Sequence, residues 1–78
     1  MEKVAASVFK KLSLNDKYQL LKQRGNFIAS RFHGGHNCHL FAFDGYYVEI
    51  FKVMGLNQIQ WIEVVENDRT LDNYLDNI

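Results

Sequence analysis

The sequence predicts an α+β domain: two N-terminal helices, a four-stranded antiparallel β-meander and a C-terminal helix. Three observations predict it. Apolar residues recur at helical spacing as far as Arg24, the period changes to two from Asn26, and Gly-Gly and Asp-Gly pairs divide the β-rich stretch into hairpins. A chain of 78 residues has room for one domain, spanning 1–78.

Val4, Val8 and Leu12 recur at four-residue steps, with Ala5 and Phe9 widening the stripe, so the first helix is expected over Glu2 to Leu12. Ser13 followed by Asp16 has capping-box spacing and opens a second helix with Leu14, Tyr18 and Leu21 on its apolar side. Lys22 and Arg24 suit that helix's C-terminal dipole, and Gly25 is expected to end it in the left-handed conformation. Strands follow over Phe27–His33, His36–Phe43, Tyr46–Met54 and Gln58–Val65. A two-residue turn at Asp44-Gly45 sets Phe43 opposite Tyr46, Phe41 opposite Val48, His39 opposite Ile50 and Cys38 opposite Phe51. Thr70 opens the last helix, whose Leu71, Tyr74, Leu75 and Ile78 fall on one face.

That register makes both sheet faces apolar. Phe41, Phe43, Tyr46, Val48 and Ile50 share one, and Cys38, Leu40, Ala42, Tyr47, Phe51 and Val53 share the other. A sheet with one solvated face should alternate between apolar and polar. Three short helices cover one face better than the other, and the remainder calls for a wrapped helix, a dimer partner or a groove. Tyr46, Val48, Ile50 and Trp61 are the expected interface residues of a homodimer, since two-fold dimers are the commonest oligomers and a small chain gains most from one.

Composition excludes several classes. One cysteine rules out an internal disulfide. Lys3 is followed by only six uncharged residues before Lys10 and Lys11, too few for a secretory leader, and no apolar run approaches a membrane span. A cytoplasmic protein with no membrane partner is expected. Charge is balanced but lopsided: residues 1–40 carry seven Lys and Arg against two acids (+5), and residues 41–78 carry two against seven (−5). The two halves then attract each other, within a chain or between copies. Nucleic-acid binding through the basic N-terminal helices is an alternative that the zero net charge disfavours.

Arg31 to His39 holds all three histidines and the only cysteine. Imidazole and thiolate are zinc donors, and with Gly34-Gly35 as the turn, His33, His36 and Cys38 share a face, so zinc binding by this hairpin is a second alternative. His39 points the other way. The same register buries Cys38 opposite Phe51, which raises its thiol pKa and argues against a nucleophile. Glu49 faces the side of Leu40 and Phe51 and reads as a salt-bridge partner of Arg31 or of a helix lysine at the sheet margin, rather than as half of a catalytic pair with Glu63. Gly34-Gly35 lies between strands, where no phosphate loop sits, and no cofactor is expected. No residue is assigned to catalysis, so the chain is read as a non-enzyme.

Gly25-Asn26-Phe27-Ile28-Ala29-Ser30-Arg31, Asp44-Gly45-Tyr46-Tyr47-Val48-Glu49-Ile50 and Leu71-Asp72-Asn73-Tyr74-Leu75 together resemble the pattern of a group of small uncharacterised bacterial α+β proteins, from Leu14 onward. The resemblance implies a single bacterial α+β domain and carries no functional residue. The expectation is therefore a protein-interaction module that acts as a homodimer.

Overall fold

The computed structural model describes residues 2–56, 58–66, 71, 72 and 74. The chain runs α1 (Ala6–Phe9), α2 (Leu14–Arg24), β1 (Asn26–His33), β2 (His36–Phe43), β3 (Tyr46–Val53) and β4 (Gln58–Val64). The strands form one antiparallel sheet in the order β1-β2-β3-β4. The α+β class and the meander are those the sequence predicts.

Helix α1 is one turn, shorter than its apolar spacing suggests, for a tertiary reason. The Val4 N–H donates to Asp44 Oδ2 at 2.7 Å, and the Val4 carbonyl accepts from the Tyr46 hydroxyl at 2.5 Å. Both bonds hold the chain extended ahead of Ala5, which has no side chain with which to cap a helix. Helix α2 begins as expected, with Ser13 Oγ accepting from the Asp16 N–H at 3.1 Å. Its end differs from expectation: Gly25 has φ −76° and ψ 149°, an extended conformation. Glycine is required there by space, because a Cβ would lie 2.6 Å from the Leu21 carbonyl oxygen.

The β2–β3 turn has positive φ at both central residues, Asp44 at 47° and Gly45 at 92°, the handedness that matches strand twist. It delivers all four expected pairs from Phe43–Tyr46 to Cys38–Phe51. Phe9, Leu21, Phe43, Val48, Ile50 and Ile62 form the core between the helices and the first sheet face. Phe9 is fully buried, its ring 5.3 Å from Phe43 and 6.3 Å from Tyr46. Each such aromatic pair adds about 0.5–1.5 kcal/mol to the area it buries.

A smaller core of Ala29, Cys38, Leu40, Phe51 and Tyr74 lies on the second face, with Val65 and Leu71 against it. Of the expected C-terminal helix, Leu71 and Asp72 are helical, and Tyr74 closes a turn by donating its N–H to the Leu71 carbonyl at 3.0 Å. Thr70, Leu75 and Ile78 lie outside the described residues. Lys10–Glu66, Arg24–Asp44 and Arg31–Glu49 each join the basic first half to the acidic second half. The charge asymmetry is thus answered in part within one chain.

Candidate functional site

The second sheet face gathers the chain's chemistry. A bulge between Phe27 and Ala29 resets the phase of β1, so that Arg31 pairs with Cys38 and turns to the same side as Glu49. Arg31 Nη2 lies 3.2 Å from Glu49 Oε2, and the Tyr74 hydroxyl donates to the same oxygen. The guanidinium carbon sits 5.2 Å from the Tyr74 ring centroid. Glu49 is 1% exposed, and a carboxylate so buried is tolerable only when paired and hydrogen-bonded. Burial and the bond to Glu49 push the Tyr74 phenol well above its ordinary value, so it remains a donor. Arg31 Nε is buried with no hydrogen-bond partner among the described residues.

Glu63 stands directly opposite Glu49 across β3 and β4. Burial first, and then the Glu49 charge, push its carboxyl above the usual range, with Lys17 opposing. This opposition escapes the sequence because β4 carries its own bulge: Phe51 pairs with Trp61 but Lys52 with Ile59. Trp61 stacks on Phe51 at 4.5 Å and 24°, and the His36 ring meets Trp61 edge-on at 4.8 Å. His36 Nε2 lies 2.6 Å from Gln60 Oε1, a geometry in which the ring N–H donates to the amide oxygen. Arg31, His33, His36, Glu49, Phe51, Trp61 and Glu63 line an open cleft of about 510 Å³.

The other sequence candidates fall as follows. His33 and His36 are cross-strand partners. His33 is exposed while Cys38 is fully buried, and among the described residues no three His, Cys, Asp or Glu side chains group as metal ligands. Burial, then Glu49, raises the Cys38 thiol to about 11, away from the thiolate that a nucleophilic step requires. His39 is on the helix-facing side with its ring 5.9 Å from Phe27; burial and Lys52 lower its pKa.

The expected interface set needs correction. Val48 and Ile50 are 0% and 2% exposed beneath the helices, and Tyr46 is half-buried against Phe9, so none of the three presents a free surface. Trp61 belongs to the opposite face. The sequence pattern placed the uncovered area on the wrong residues because it did not show which face the two helices take.

Exposed apolar area lies instead along β1. Phe27 is 58%, Ile28 37% and Phe32 73% exposed, on a strand whose outer edge is paired with no strand among the described residues. Its single Lys or Arg, Arg31, turns inward to Glu49. Edge strands are ordinarily guarded by outward charge or proline, and β1 has neither. Among the described residues, no helix is long and apolar enough to cross a membrane. Comparison with protein families, curated proteins and solved structures yields no match.

Proposed function

We propose that this chain is a non-enzymatic, cytoplasmic protein-interaction module that acts as a homodimer, joined edge to edge through β1. The observation that supports this is the unguarded edge: eight residues, Phe27 and Phe32 largely in solvent, and the one basic side chain spent on an internal ion pair. A second copy suits that edge. Ala29 and Arg31 flank Ser30 on one face, so an antiparallel two-fold pairing about Ser30 opposes residues of like direction. It sets Phe32 of each copy beside the Phe27–Ile28 corner of the other. The sheet would grow to eight strands, and each small domain would gain burial it cannot find alone.

The buried Cys38 thiol supports the non-enzymatic part, since it offers no nucleophile at neutral pH. Nucleic-acid binding is the weaker alternative. Lys10, Arg24 and Arg31 are paired with acids, and Lys17 Nζ donates to the Ile62 carbonyl at 3.2 Å, so four of the seven basic side chains in residues 1–40 are engaged within the chain.

Size-exclusion chromatography with light scattering tests the proposal. The native chain is expected to run as a dimer, Phe32→Lys as a folded monomer, and Val8→Lys, altered at an exposed apolar site on α1, as a dimer. A native chain that stays monomeric at high concentration overturns the proposal.

A further inference from the structure

The cleft on the second face shares Arg31 and His33 with β1, the proposed dimer edge, but its Trp61 and Glu63 stand on β4 at the far edge of the sheet and carry their own chemistry. Two carboxylates line it, but only Glu49 is answered, by Arg31 and Tyr74. Among the described residues, no donor or cation reaches the Glu63 carboxylate within hydrogen-bond distance. Arg31 offsets one of the two cleft carboxylates, and Lys17 acts on the other, Glu63, from outside the lining. The cleft wall beside Glu63 is aromatic: Trp61 precedes Glu63 by two residues on the same strand face, stacked on Phe51 and touched by His36. A hydrated metal ion suits such a wall poorly, and no group of three metal-ligating side chains forms among the described residues. A compact organic cation suits it well, because an indole attracts a cation through its ring quadrupole while a carboxylate supplies the opposite charge.

We propose that this cleft binds an alkylammonium group, with Trp61 packing against the cation's methylenes and Glu63 pairing with its charge. Glu49 and Arg31 are positioning residues here: their fixed ion pair withholds Arg31 from Glu63 and keeps the floor of the cleft ordered. The site takes an amine presented by a small molecule or by a lysine side chain, since both offer the same ammonium and methylene chemistry.

Trp61 is the chain's single tryptophan, so its fluorescence reports on the site alone. Butylammonium chloride titrated into the native protein is expected to change that emission saturably, with a dissociation constant on the order of millimolar, and sodium chloride at matched ionic strength is expected not to. Glu63→Gln keeps the shape and removes the charge; it is expected to weaken butylammonium by about tenfold. An emission change equal to that of sodium chloride, or undiminished affinity in Glu63→Gln, overturns the proposal. If Glu63→Gln fails to fold by circular dichroism, amide and indole NMR shifts of the native protein decide. Shifts centred on Trp61, His36 and Phe51 support the site, and shifts spread elsewhere overturn it. Acetyl-lysine methylamide in place of butylammonium separates the two sources: tighter binding points to a protein lysine, weaker binding to a free amine. Phe32→Lys serves as a control that leaves the cleft intact, so a failed dimer and a failed cleft are read separately.

Discussion

Glu49 and Glu63 oppose each other across β3 and β4, yet Arg31 and Tyr74 converge on Glu49 alone. The two carboxylates consequently have different relations to stability, one as half of a buried pair and the other as a charge held near it at some cost.

Removing one member of a buried ion pair leaves the other charged and unsolvated, which costs about 3–5 kcal/mol. Arg31→Leu is expected to fall in that range by urea unfolding. The double change Arg31→Leu with Glu49→Leu is expected to recover most of the loss, because two apolar side chains of suitable size replace the pair. A double change no more stable than Arg31→Leu would show that the pair is not what Arg31 contributes.

Glu63 makes stability depend on pH in a defined direction. Its carboxyl is raised in the fold, so between the ordinary value of 4.5 and the raised one the folded state holds a proton that the unfolded state has released. Stability from this group is present at low pH and lost as pH rises through that window. Thermal unfolding followed from pH 4 to pH 7, both about the carboxylate range, is expected to show that loss in the native chain, and Glu63→Gln is expected to be flatter. Solvent exposure keeps the effect small.

Cys38 offers a probe of core opening. Fully buried and with its thiol at about 11, it is expected to resist a thiol reagent at neutral pH except through unfolding, so its labelling rate should rise with urea in step with the open population. Its linkage runs from its ordinary value of 9.0 to about 11: the folded state retains the proton across that interval, and stability falls as pH climbs through it.

At the two ends of α2, different physics sets the expected losses. Ser13→Ala removes the cap on the Asp16 N–H and should cost about 1 kcal/mol. Gly25→Ala places a methyl 2.6 Å from the Leu21 carbonyl oxygen, so backbone must move, at about 1–3 kcal/mol. Chemical denaturation of the two variants side by side checks the order.

Much of the central sheet was legible from residues. Asp44-Gly45 permits one tight turn, and counting outward from it places Cys38, Glu49 and their neighbours correctly, while the partner of Glu49 was open between Arg31 and a helix lysine until β1 was placed. What parity counting could not reach lies beyond a bulge. In β4, Ile59 and Ile62 both pack toward the helices although they are three residues apart, because the extra residue shifts the phase between them. Glu63, and with it the cleft, was hidden by that shift. The length of α1 was hidden for another reason, since Val4 is held by partners 40 and 42 positions away that no local pattern announces.

Asp44 bears on how the chain assembles in time. Its backbone, at positive φ, forms a turn between adjacent strands, an event of short range that proceeds quickly. The same residue's carboxylate accepts the Val4 N–H and pairs with Arg24, contacts spanning 40 and 20 residues. Those long closures have no anchor until the β2–β3 hairpin exists, so the N-terminal arm and the end of α2 are late arrivals onto a tip already made. Turn and latch are one residue, its backbone serving the first and its carboxylate the second, so the speed of folding and the permanence of the folded state are both exposed to whatever befalls it.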